Sequence, residues 1–191
     1  MKPFIIGISG ASGAIYGVRL LEVLARLGRE THLVMTPAAR RTIEIETTYR
    51  WQEVEAMASF AYSPEDVGAP LASGSWVTEG MMVVPCSMKS LSAIANSYAD
   101  NLLTRAADVT IKEGRRLVLA VRETPLHAGH LELMLNLARR QVIILPPMPA
   151  FYHQPQTIAD VIDHTTGKIL DQFGIKHDLF VPWQGETAGR K

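Results

Sequence analysis

Phe4-Ile5-Ile6-Gly7-Ile8-Ser9-Gly10-Ala11-Ser12-Gly13 decides the fold. Its first half is a near-continuous apolar run, the pattern of a strand buried on both faces, and Gly7, Gly10 and Gly13 turn it sharply. From Ala14 onward Ile15, Val18, Leu21, Val23, Leu24 and Leu27 recur near helical spacing until Gly28 stops the helix. The turn therefore opens a helix whose N–H groups and dipole favour an anion, and Ser12 adds a hydroxyl. The spacing is G-x-x-G-x-x-G, not the dinucleotide fingerprint G-x-G-x-x-G. The next strand, 31–35, ends in Met35-Thr36 with no acid for a ribose hydroxyl, which disfavours a nicotinamide dinucleotide. A tight strand-to-helix turn without ligand is the competing reading.

Outward from this unit the alternation continues. Thr36 and Pro37 supply an N-cap and a first-turn proline for a helix from 38 to about 46. The stretch 47–78 is mixed, with one short helix around 52–59 and a Ser-, Gly- and Pro-rich loop at 63–75. Strands are expected at 81–84, 117–121 and 142–145, helices near 90–96, 102–112 and 130–140, a proline-rich loop at 146–155 and a closing helix at 158–173. Five strands alternating with helices predict a three-layer α/β fold, a parallel sheet with helices on both faces and ligands at the carboxyl ends of the strands.

A chain of 191 residues suits one domain, 1–191, with the segment from about 156 to 191 completing the active site or oligomer contacts. The hydrophobic fraction of 47% excludes disorder, and 19 basic against 19 acidic residues give no global field, so nucleic acid is not an expected partner. Zero net charge does little to discourage self-association. Cys86, the single cysteine, excludes an internal disulfide and a multi-cysteine metal site and suits a reducing cytoplasm. The first apolar run is too short for a signal peptide or a membrane span.

Chemistry concentrates at the strand ends. Cys86-Ser87-Met88-Lys89-Ser90 places hydroxyls and a cation where a loop enters a helix, suited to phosphate or a ring carbonyl. Cys86 itself abuts a buried strand and reads as a small core residue. Arg122-Glu123 sets a cation beside a carboxylate at a strand end, the equipment of a general acid or base, with a plain salt bridge as the bland reading. Glu46 is unusual as the last residue of a helix, where the dipole disfavours negative charge. Pro147 to Pro155, with Phe151, Tyr152 and His153, suggests a lid or pocket wall. The histidines are scattered and form no metal pattern.

Taken together the motifs resemble the flavin prenyltransferases of the UbiX and Pad1 type. The resemblance covers almost the whole chain and rests on the stretches 7–14, 85–91, 105–109, 121–126 and 146–152. It implies a flavodoxin-like, Rossmann-like fold, usually a homododecamer, that binds FMN and joins the dimethylallyl group of dimethylallyl monophosphate, without metal, to N5 and C6 of the reduced flavin. The prenylated FMN then serves a separate decarboxylase, as in ubiquinone biosynthesis. Carried over by motif, Gly10, Ala11, Ser12, Thr36, Ser87, Met88, Lys89, Ser90 and Arg122 would hold the flavin. Tyr152, Lys168, Lys112 and Trp183 would hold the prenyl phosphate, and Ser12, Glu46 and Glu123 would act in catalysis. Thr36 stands where the family often has Ser, and Pro37 where Lys is more usual. An FMN-dependent cysteine decarboxylase of related fold fits less well, because 147–152 lacks the Asn and Trp of the P-x-M-N-x-x-M-W segment. A non-catalytic FMN carrier would leave Arg122, Glu123 and Lys168 without a task.

Overall fold

Every residue of the first strand, β1 (Phe4–Ile8), is buried, because helices cover both faces of the sheet around it. A Cβ on Gly7 would stand 3.1 Å from Leu103 of α5 (Leu102–Lys112), whereas one on Gly17 of α1 (Ala14–Arg26) would stand 2.3 Å from the Val84 carbonyl oxygen and 3.0 Å from Ile8. Gly7 and Ile8 point to opposite faces, so α5 and α1 lie on opposite sides. The α5 side closes with Ile5, Met81, Val83, Leu117 and Leu119 packed against Leu91, Leu103 and Leu137.

The structure is a computed structural model describing residues 1–183 and 185. Its six strands run parallel in the order β3-β2-β1-β4-β5-β6. They are β1, β2 (Thr31–Met35), β3 (Phe60–Tyr62), β4 (Gly80–Cys86), β5 (Arg116–Val121) and β6 (Ile143–Ile144). All five expected strands are present, and on their own they follow the flavodoxin order, second-first-third-fourth-fifth. The sixth, β3, is an edge strand whose residues are exposed or half-buried, so no buried apolar run marked it. His32 of β2 pins it, with Nδ1 2.9 Å from the Tyr62 hydroxyl and its ring stacked on Phe60. The order reverses between β1 and β4, and this switch point opens a crevice at the strand ends.

Helices α2 (Pro37–Glu46), α3 (Trp51–Met57), α4 (Met88–Ala95), α5 and α6 (Ala128–Arg139) fall where the sequence places them to within two residues. Helix α4 begins earlier than expected because Ser87 is its N-cap, accepting a hydrogen bond from the Ser90 amide. No helix among the described residues is long and apolar enough to cross a membrane.

Contacts divide the chain into two units, Met1–Pro147 and Met148–Lys191. The second holds α7 (Ile158–Asp171), started by a Thr157–Asp160 capping box. Its tail lies against the helix at Gly167, where a Cβ would stand 2.5 Å from the Phe180 ring and 2.7 Å from His177. Of the expected tail, positions 184 and 186–191 lie outside the described residues.

Candidate active site

The start of α1 is already occupied by an anion of the chain's own. Gly13 takes φ 95°, a conformation glycine adopts without strain, and turns its amide toward the end of α2. There Glu46 Oε2 accepts hydrogen bonds from Gly13 N (2.7 Å) and Ala14 N (3.2 Å), and the Ser12 hydroxyl bonds the same carboxylate. Partial burial raises the Glu46 pKa, but the Ser12 hydroxyl, the two amides and the charge of Arg122 together outweigh it and hold the carboxyl below its ordinary value. Arg122, at the end of β5, also donates from Nε to the Ser12 carbonyl at 3.1 Å. Glu46 thus meets the favourable dipole of α1 as well as the unfavourable end of its own helix, and it takes up the amides of Gly13 and Ala14.

An open cavity lies beside it. A cavity of about 470 Å³ is lined by Gly10, Thr36, Ser87, Lys89, Ser90, Asn101 and Thr104, with Glu65 and Asp100 also on its wall. Thr36, Ser87 and Asn101 are the N-caps of α2, α4 and α5, so the positive ends of three helices meet at one cavity. Gly10 makes this possible by close approach: a Cβ there would stand 2.3 Å from Cβ of Ala38 in the first turn of α2. Of the expected flavin residues, Gly10, Thr36, Ser87, Lys89 and Ser90 line this cavity. Ala11 is buried beneath the turn, Met88 packs partly into the core, and Ser12 and Arg122 belong to the Glu46 network. Asn101 and Thr104 were missed, although an Asn-x-x-Thr capping pattern ahead of an apolar run marks them.

Ser9, within the opening motif, braces the switch point. It is 1% exposed; its hydroxyl donates to the Pro85 carbonyl (2.9 Å) and accepts from the Ser87 amide (2.7 Å), tying β1 to β4 at the switch point. Replacing Ser9 by Ala leaves both groups without that partner in a dry site, so denaturant unfolding should show a loss of about 1–3 kcal/mol. Cys86 is fully buried and its thiol pKa is pushed up to about 12 by desolvation, which leaves it protonated and inert at neutral pH.

Glu123 is exposed and its Oε1 accepts the Thr124 amide at 3.0 Å. Lys112, expected at the prenyl phosphate, does not line the cavity. The eleven residues of α5 begin at the cavity and carry Lys112 roughly 16 Å away along the helix. There its ammonium pairs with Glu113 near Gly74, so the fold does not bring it to the cavity of its own chain.

In the second unit Tyr152, Lys168 and Trp183 do come together. They line a cavity of about 710 Å³, with the Trp183 ring edge-on to Tyr152 at 5.9 Å and Lys168 Nζ 3.2 Å from Asp171. The Tyr152 hydroxyl lies 2.7 Å from Nε2 of His164, a residue no motif had singled out. Burial above all, then the electrostatic effects of His153 and Lys168, lower the His164 pKa against the opposing effect of Asp171.

The chain as a whole, strand-end cavity included, is similar to known proteins. The family model described as Flavoprotein covers residues 1–173. Flavin prenyltransferase UbiX of Salmonella typhimurium is 57% identical over 188 residues, 97% of this chain and 100% of the relative, and that of Thauera aromatica is 53% identical over 95% and 93%. The structure of AnUbiX (PadA1) in complex with FMN and dimethylallyl pyrophosphate superposes with a TM-score of 0.95 at 45% identity, over 96% of this chain and 98% of that one. A dodecameric FMN-dependent UbiX-like decarboxylase from Escherichia coli superposes at 0.94 with 50% identity, over 96% and 100%. The peptidyl-cysteine decarboxylase EpiD, 15% identical with a TM-score of 0.61 over 78% of this chain and 84% of that one, shares the fold alone. This chain belongs to the Flavoprotein family and, within it, to the flavin prenyltransferases of the UbiX and Pad1 type.

Proposed function

We propose that this chain is a flavin prenyltransferase that joins the dimethylallyl group of dimethylallyl monophosphate to N5 and C6 of reduced FMN. The observation that carries this reading is the convergence of three helix N-termini, with their caps Thr36, Ser87 and Asn101, on one cavity at the switch point. Those donors, with Lys89, Ser90 and Thr104, suit the phosphate of FMN, and Gly10 lets the backbone approach closely. Bound reduced FMN supplies the nucleophile. Lys168 and Tyr152 hold the prenyl phosphate, offsetting the charge that builds on it as the allylic carbon–oxygen bond breaks, and Trp183 offers an aromatic wall to the cationic fragment. Ser12 and Glu46 hold and pass a proton beside Arg122, and Glu123 takes the proton lost on ring closure.

Lys112 fits this scheme as the contribution of another copy in the homo-oligomer, the dodecamer being the assembly of one relative. Two inactive variants then complement each other: co-assembled Lys112→Ala and Lys168→Ala chains should regain turnover that neither has alone. Mixed oligomers no more active than the parents would remove Lys112 from the prenyl site. The product serves a prenylated-FMN-dependent decarboxylase in the cytoplasm, in a pathway such as ubiquinone biosynthesis.

The direct test is anaerobic incubation with reduced FMN and dimethylallyl monophosphate, then the pyrophosphate, followed by the mass of the extracted flavin. A five-carbon gain is expected with the monophosphate, and an unchanged flavin mass with both donors would sink the reading.

A further inference from the structure

The Tyr152 hydroxyl has one proton and two claimants for it. Its oxygen lies 2.7 Å from Nε2 of His164, and it lines the cavity that also holds Lys168 and Trp183, where a bound phosphate would need a donor. If Nε2 is bare, it draws the hydroxyl proton and the tyrosine presents lone pairs to the anion, which is repulsive. If Nε2 carries a proton, the imidazole donates to the tyrosine oxygen and the O–H is free for the phosphate. The ring is held in place against evading this choice. His164 is 7% exposed, His153 stacks on it at 4.6 Å with 8° between the planes, and Phe180 lies at 4.7 Å.

We propose that His164 is a positioning residue for the prenyl phosphate: its Nε2–H donates to the Tyr152 oxygen and so directs the Tyr152 hydroxyl at the anion. The inference rests on Tyr152 being a prenyl-phosphate residue, as argued above. His164 and Lys168 stand four apart on one face of α7, so a single helix supplies a cation and orders the neighbouring donor. Desolvation above all, then His153 and Lys168, lower the His164 pKa against Asp171, and the tautomer of the neutral ring sets the direction of the hydrogen bond.

The test uses the assembled enzyme. His164→Met keeps much of the side-chain bulk without a donor, and His164→Gln returns an amide N–H to the same reach. With Met, KM for dimethylallyl monophosphate should rise about tenfold at unchanged FMN affinity, and Gln should recover most of that loss. In a Tyr152→Phe background the Met change should add almost nothing. Wild-type KM in the Met variant, equal losses for Met and Gln, or additive losses with Tyr152→Phe would each overturn the proposal. Should Tyr152→Phe alone leave KM unchanged, the assignment of Tyr152 to the prenyl phosphate fails first and this inference with it. Nitrogen NMR of labelled histidine in the native enzyme, with oxidised FMN and dimethylallyl monophosphate bound, needs no variant. It should show His164 protonated at Nε2, and a ring protonated at Nδ1 alone would refute the role.

Discussion

Glu46→Gln should lower turnover about 100-fold while FMN still binds, measured by flavin fluorescence alongside single-turnover product mass. The glutamine oxygen can still accept from Gly13 or Ala14, so the α1 start keeps a cap, but the neutral amide neither carries a charge toward Arg122 nor exchanges a proton with Ser12. Stability should respond with a definite sign. The Glu46 carboxyl is held below its ordinary value in the folded protein, so its stabilisation is full above the ordinary carboxylate range and is lost as acid protonates it in the fold. Wild type should therefore exceed the Gln variant by about 0.3–1 kcal/mol at pH 7, and the two should converge as the pH falls through the depressed Glu46 value. An advantage that survived at the acid end would show that the charge is not its source.

Lys168→Ala should cost more: a fall of about 100-fold or greater in kcat/KM, with Lys168→Arg between the two. Breaking an allylic carbon–oxygen bond places a full extra charge on the departing phosphate, and Lys168 is, with Lys176, a cation in the cavity that Tyr152 and Trp183 line. Asp171, 3.2 Å from its ammonium, holds the side chain but also claims part of its charge. Asp171→Asn is thus a sensible control, since it keeps the shape and frees the cation. Unchanged kinetics in the Ala variant would take the prenyl phosphate away from this cavity.

The sheet was legible wherever burial was complete. Phe4–Ile8 and Gly80–Cys86 are buried at every position, and their apolar runs announce them, whereas Phe60–Tyr62 borrows its stability from pairing with β2 and leaves a weak local pattern. At the site, residue types were legible but assignments of partner were not. Glu46 looked misplaced because sequence shows the helix a residue ends and hides the helix it faces, and the anion turn at Gly13 looked open because its occupant is 33 positions away. Asn101 reads along the chain only as a helix cap, and the sequence does not show that this cap lines the cavity. The pairing of Tyr152 with His164 crosses a loop and a helix start, so only packing could bring it out.

The register of β1 sets a timetable. Its side toward β2 can pair as soon as residues 31–35 emerge, yet its other side pairs with Gly80–Cys86 and must wait for that strand to be made. Until then β1, a central strand of the finished sheet, has one hydrophobic edge open, a state prone to mispairing with another nascent chain. Closure of that long, non-local loop, and not the quick formation of α1, should pace folding.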